Sequence, residues 1–201
     1  MSDAADHTRT TALIARALEG SSAEKITIGE FLDPLGERAF GFLVLILAIP
    51  NFIPVPIGVG GVMGVLVIYV GAQMLLGFQH PWLLRSIRTH GMKRARVERF
   101  VARLTPLLRW LEKACRPRLE MLTRQPAHRI SGFLLVLVGI ALALPIPFTN
   151  YVFGVLLVVY AVALIERDGA ALIVAWLASV AVAIALVTLS GAAVDAMRKL
   201  F

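Results

Sequence analysis

The sequence predicts an all-α integral membrane protein: two repeated, Pro-x-Pro-broken helical hairpins, interfacial amphipathic helices between them, and a C-terminal transmembrane helix. Three observations predict it. The chain has 201 residues, 58% hydrophobic and 16% charged, with mean hydropathy +0.79, where soluble proteins are about 45–50% apolar and about 25% charged. Residues 39–57, 62–76, 132–148, 151–165 and 170–189 hold no Asp, Glu, Lys or Arg, and about 20 apolar residues in a helix cross a hydrocarbon core. Two of the apolar stretches are interrupted by the same step, Pro54-Val-Pro56 and Pro145-Ile-Pro147.

Residues 1–201 read as a single membrane domain. The first 30 residues are polar and hold five acids, Asp3, Asp6, Glu19, Glu24 and Glu30, which is not the pattern of a secretory signal, so the membrane segments are expected to insert uncleaved. Residues 8–36 read as two short amphipathic helices. Gly20 ends the first, and Thr27 with Glu30 forms a capping box that opens the second. An interfacial, gate-like helix and a plain cytosolic lead-in both fit.

Residues 38–77 form the first broken unit. Pro50, Pro54 and Pro56 interrupt helical hydrogen bonding and force a turned or extended backbone. The first arm, 39–53, is roughly 22 Å long at 1.5 Å per residue, short for a core of about 30 Å. A re-entrant hairpin therefore fits better than two full spans. Residues 78–128 are a basic amphipathic linker. Between 80 and 129 there are 13 Lys and Arg against Glu98, Glu112 and Glu120, giving +10, so the rest of the chain carries −3 of the net +7. From Val97 the apolar positions recur at helical spacing, and Thr105-Pro106 marks a new start. Two linked helices in the membrane interface are expected, with a helical pair packed on itself as the alternative. Residues 129–165 form the second broken unit, and 170–192 a C-terminal transmembrane helix.

The two units align at a constant offset of 91. Arg38, Gly41 and Phe42 fall on Arg129, Gly132 and Phe133, Pro54 and Pro56 on Pro145 and Pro147, and Tyr69 on Tyr160. Broken, repeated membrane helices are typical of transporter folds, where freed backbone lines a site; simple tight turns are the competing reading. The polar residues that could serve such a site are Asn51, Gln73 and Asn150, beside Pro54, Pro56, Pro145 and Pro147. Glu37, Arg38, Arg129, Glu166, Arg167 and Asp168 stand where the units meet their flanks and are candidates for a charged gate. Arg38 and Arg129 are expected in equivalent places, either paired with an acid or serving as positive-inside anchors. The Lys and Arg count places residues 78–128 and the amino terminus in the cytoplasm, and favours a parallel over an inverted repeat.

No catalytic residue, cofactor or metal is expected. His80, His90 and His128 lack metal-ligand spacing and read as solvated or interfacial, and Cys115 is the sole cysteine. The basic linker points to anionic lipid headgroups rather than nucleic acid. Ala171, Ala175, Ser179 and Ala183 recur every four residues, as do Gly60 and Gly64. Such small faces let helices approach closely, and a homodimer is the simplest expectation, with packing inside one protomer as the alternative.

Together, Gly36-Glu-Arg-Ala-Phe-Gly41, Ile49-Pro-Asn51, Pro54-Val-Pro56, Gln73-Met-Leu-Leu-Gly77, Pro81-Trp82, Pro145-Ile-Pro-Phe148, Asn150 and Glu166-Arg-Asp-Gly169 resemble the ExoD family over about residues 27–192. Phe78 and Ile57 depart from it, standing where similar sequences often carry a basic residue and a proline. The resemblance implies a multi-pass protein of the bacterial cell inner membrane linked to exopolysaccharide synthesis, with exopolysaccharide assembly proteins as partners; it assigns no chemical role to any residue. The resulting expectation is a transporter-like or flippase-like protein with its site at the paired Pro-x-Pro breaks. The alternative is a non-transporting scaffold or regulator of exopolysaccharide assembly.

Overall fold

The computed structural model describes residues 25–53, 59–83, 88–89, 91–99, 101–102, 125–144 and 149–200, the last twelve as backbone only. The chain is mostly helical, as its composition dictates. Strand β1 (Lys25–Thr27) leads into the short helix α1 (Ile28–Leu32). The Thr27 hydroxyl accepts from the Glu30 amide and the Glu30 carboxylate from the Thr27 amide, the expected capping box. A 3₁₀ turn (Asp33–Leu35) follows, then α2 (Arg38–Ala48), a second 3₁₀ turn (Ile49–Phe52) containing Pro50, and α3 (Val59–Leu75). After strand β2 (Gly91–Lys93) come α4 (Gln125–Ala143), α5 (Thr149–Glu166) and α6 (Gly169–Leu200).

The all-α expectation needs one correction. β1 and β2 pair antiparallel, with Ile26 opposite Met92, so residues on either side of the α2–α3 stretch are tied outside the helices. Boundaries also move. α4 starts inside the segment assigned to the basic linker, and α6 continues eight residues beyond 192 as helix. Residues 94–99 are helical, as their periodicity predicts. Their apolar residue Val97 is buried in the same core as Leu32 and Leu35, so here the helix docks on protein and its apolar face is not free for lipid. Residues 8–24 and 103–124, with Thr105-Pro106, lie outside the described residues, as do Pro54, Pro56, Pro145 and Pro147.

Among the described residues, three helices are long and apolar enough to cross a membrane, over Pro126–Ala143, Thr149–Glu166 and Gly169–Thr188; α2 with its 3₁₀ extension and α3 are shorter apolar helices. On α6, Val174, Leu177, Val180, Ile184 and Val187 are exposed, an outward apolar face that suits lipid rather than water. At 1.5 Å per residue α6 is about 48 Å long, well over a hydrocarbon core of about 30 Å.

The arms do not pair as hairpins. α2 packs chiefly on α5, and α3 chiefly on α4. Both pairs are antiparallel: Gly41 near the start of α2 meets Ala161 and Ile165 near the end of α5, and Gly64 near the start of α3 meets Gly139 and Ala143 near the end of α4. Glycine is what permits the second pair. A Cβ on Gly64 would sit 2.6 Å from both the Ala143 nitrogen and the Gly139 oxygen, and one on Gly132 would strike the Leu75 nitrogen and lie 2.7 Å from the Gly71 oxygen. No side chain fits such a backbone-to-backbone approach, which in lipid supplies the packing that hydrophobic drive does not.

Candidate functional site

The two ends of the bundle differ in chemistry. At one end the starts of α2, α4 and α6 meet the ends of α3 and α5. At the other, the ends of α2 and α4 meet the starts of α3 and α5.

The first end is charged. Arg167 Nη2 lies 3.4 Å from Glu37 Oε2, joining the α5–α6 turn to the residue before α2. Arg167 stands at φ +52, where its backbone ends α5. The Asp168 amide donates to the Ala163 carbonyl across it, and the Asp168 carboxylate accepts from the amides of Ala170 and Ala171. Asp168 thus caps α6, a role set by an acid just before a helix. Glu166 is half-buried beside this turn. Arg38 is buried whereas Arg129 is exposed, so the two arginines do not hold equivalent places: Arg38 begins its helix against the core, while Arg129 is the fifth residue of a longer helix and turns outward.

His128 is also at this end and is not solvated: it is 7% exposed. Its ring stands edge-on to Phe40 with centroids 5.2 Å apart. Gln73 is here too, not at the helix breaks. Its Oε1 accepts from the Trp82 amide and its Nε2 donates to the Tyr69 carbonyl, while Tyr69 donates its hydroxyl to the Trp82 carbonyl at 2.8 Å. Gln73 lies about 21 Å along α3 from Val59, so it anchors the loop leaving the bundle.

The second end is neutral. None of the described residues among 48–53, 59–64, 139–144 and 149–155 is charged. Asn51 is 3% exposed. Its Nδ2 donates to the carbonyls of Leu47 at 2.8 Å and Ala48 at 3.3 Å, while its Oδ1 is buried without a hydrogen-bond partner among the described residues. A buried acceptor left unmet costs about 1–3 kcal/mol. Gly154 faces it: a Cβ there would be 3.1 Å from Asn51 Cβ. Across the seam, Asn150 Oδ1 would be 2.8 Å from a Cβ on Gly60, and the Leu142 oxygen 3.2 Å. Asn51 and Asn150 are therefore both placed at this neutral end of the bundle.

Sequence reasoning missed the ties that hold α6. Tyr160 and Ser179 share a buried hydrogen bond of 2.8 Å between their hydroxyls, and Trp176 Nε1 donates to Ser131 Oγ at 3.0 Å. Ala175 and Ser179 are buried in this contact, and Gly60 and Gly64 face α4 and α5. Of the small residues that suggested self-association, Ala175, Ser179, Gly60 and Gly64 are buried within the chain, whereas Ala171 is half-buried and Ala183 exposed. Hydroxyl and indole groups within apolar runs were the available signal.

The model of the family described as "Exopolysaccharide synthesis, ExoD" matches residues 10–188. The chain belongs to the ExoD family. It is 30% identical over 149 residues to Protein ExoD of Rhizobium meliloti (strain 1021), a match covering 72% of this chain and 62% of that one. It is 27% identical over 146 residues to an uncharacterized protein of Synechocystis sp. (strain ATCC 27184 / PCC 6803 / Kazusa), covering 72% of this chain and 69% of that one. The chain thus spans less than two thirds of the first of these ExoD relatives. No solved structure matches this ExoD-family fold.

Proposed function

We propose that this protein is a multi-pass inner-membrane transporter or flippase acting in exopolysaccharide synthesis, built from two repeats of a broken helix pair whose breaks form its site. The observation that carries the reading is that Gly60, near the start of α3, lies against Asn150, near the start of α5. The repeat is supported by matched backbone contacts. Gly41 meets the Ala161 oxygen and Ile165 nitrogen, and Gly132 meets the Gly71 oxygen and Leu75 nitrogen, the same pattern four residues apart. α2 and α4 run in the same direction, which favours a parallel repeat. In the second arms the equivalences fall one residue short of an offset of 91, since Arg167 takes the place of Gly77, each with positive φ after its helix.

The test is flux in proteoliposomes holding the purified chain, read for ions, neutral sugars and lipid-linked sugars. Uptake above empty liposomes for at least one class, reduced in Asn150→Ala at equal incorporation, supports the reading; no flux of any class removes it. A second reading, a scaffold or regulator held on anionic headgroups, draws on the exposed Lys93, Arg96 and Arg99 around the docked helix at 94–99. It predicts sedimentation of the protein's exopolysaccharide assembly partners with it and no flux.

A further inference from the structure

We propose that the groove between α4 and the second half of α6 is a binding site for the hydrocarbon tail of an anionic phospholipid, with Arg129 at its headgroup. The site is separate from the neutral end of the bundle and does not rest on the transport reading. α6 is tied to the bundle at adjacent turns, by Trp176 Nε1 on Ser131 Oγ at 3.0 Å and by the Tyr160–Ser179 pair at 2.8 Å. Beyond Ser179 it stands away from its neighbours. Of residues 180–188, only Val182 and Leu186 are half-buried and the rest are exposed. The wedge left open is a groove of about 150 Å³, lined by Leu134, Val138 and Ala141 of α4, by Val182 and Leu186 of α6, and by Phe153 of α5.

The groove lies at hydrocarbon depth. α4, α5 and α6 are the helices long and apolar enough to cross a membrane. At 1.5 Å per residue Leu134 is about 14 Å from the start of α4, and Ser179 about 15 Å from the start of α6. Ala141 and Leu186 are about 24–26 Å in, still within a core of about 30 Å. Among the lining residues only Ser179 is polar, and its proton is committed to the Ala175 carbonyl at 2.8 Å, so the hydroxyl of Tyr160 is the donor between them. The groove thus offers no free donor. An apolar cavity of about this volume stays dry and admits apolar molecules, and an empty one forfeits the dispersion contacts of its walls. A helix with its side chains is about 10–12 Å across, too wide for a space of this volume, whereas a single hydrocarbon chain can thread it.

The headgroup is chosen by charge on the same face. Arg129, Phe133 and Leu137 follow one another at four-residue steps on α4, all exposed, and Leu137 lines the groove. Arg129 is about 12 Å from Leu137 along the helix, at the charged end of the bundle. A lipid phosphate at the membrane surface meets the guanidinium there, and its tail runs down over Phe133 to the groove.

The whole chain in mild detergent is tested by native mass spectrometry against palmitoyl lysophosphatidylglycerol. Hexanoyl lysophosphatidylglycerol and palmitoyl lysophosphatidylcholine control for the tail and the headgroup. The expected result is one tightly held palmitoyl lysophosphatidylglycerol, with each control weaker by about tenfold or more. Ala183 lines the groove from an exposed position, and Ala183→Leu, which fills it, should weaken the palmitoyl lipid by about tenfold or more. Ala141→Leu fills the groove from α4 and serves should Ala183→Leu not fold. Arg129→Gln should abolish the preference for the glycerol over the choline headgroup and keep that for the long tail. Binding unchanged in both filled variants overturns the proposal. So does hexanoyl lipid held as tightly as palmitoyl, the result for a headgroup contact alone, and so does an unchanged headgroup preference in Arg129→Gln. A wild-type dimer that Ala183→Leu converts to monomer with lipid binding unchanged also overturns it, and gives the groove to a second copy of the chain. Flux enters none of these readouts, so failure here is distinct from failure of the transport reading.

Discussion

Arg167 and Glu37 meet at 3.4 Å across the charged end of the bundle, although Arg167 pays for its place with a backbone at φ +52. A non-glycine residue there costs about 1–2 kcal/mol, and a partly exposed ion pair returns about 0–1 kcal/mol. Arg167→Gly is therefore expected to unfold at the same temperature as wild type or above it, and Arg167→Ala below it, because alanine keeps the strain and loses the bridge. Thermal unfolding in mild detergent decides. Equal losses in both variants would mean that the guanidinium, and not the backbone, dominates.

The α3–α4 approach makes a sharper contrast. Gly132→Ala should destabilise by about 1–3 kcal/mol, as overpacking does, since its Cβ would strike backbone. Gly61→Ala, whose Cβ would meet only the Ala143 oxygen at 4.0 Å, should be neutral or gain up to about 1 kcal/mol of helix propensity. Comparing the two melting temperatures checks the pairing of α3 with α4; similar behaviour would refute it.

α6 is held by hydroxyls. Tyr160→Phe is expected to cost about 0.6–1.7 kcal/mol, the range for polar ties between membrane helices, because Ser179 Oγ keeps its bond to the Ala175 carbonyl at 2.8 Å. Ser179→Leu should cost more, by forcing a side chain between α5 and α6. Its readout is unfolding temperature at unchanged mass by light scattering. A shift in mass with stability intact would restore this face to contact between copies.

The capping box responds to pH. The Thr27 amide and then the Thr27 hydroxyl hold the Glu30 carboxyl below its ordinary value. A carboxyl depressed on folding adds stability above its unfolded value and loses it as pH falls through the folded one. The hydrogen-exchange protection of the capped 27–30 amides, relative to their intrinsic rates, should thus be greater at neutral pH and fall in acid, and Glu30→Gln should flatten that dependence.

Much of this was legible because lipid demands it. Long uncharged runs marked α2 to α6, though not where α4 begins or α6 ends, and Thr27 with Glu30 marked α1 from chemistry local to four positions. The strand pair was not legible, since three residues on each side carry no periodicity and pair only because distant segments are brought together. The site was half legible. Asn51 and Asn150 flank the Pro-x-Pro steps in sequence, and both fall at the neutral end of the bundle. Gln73 was misplaced because a polar residue within an apolar run does not say which end of its helix it serves. Arg38 and Arg129 share a place in the alignment but not in burial, which depends on what packs around each helix start.

The exchange of arms between the two halves has a consequence for how the protein is made. α2 finds α5, and α3 finds α4, so neither early helix meets its main neighbour until the second half has been translated. At about 5–20 residues per second the first pair of helices waits roughly 5–20 s in the bilayer or at the insertion machinery, showing lipid the glycine surfaces of Gly41, Gly64 and Gly71. The amino-terminal half synthesised alone should be a substrate for membrane quality-control proteases. Its survival should depend on the other half arriving, whether on the same ribosome or from a separate message.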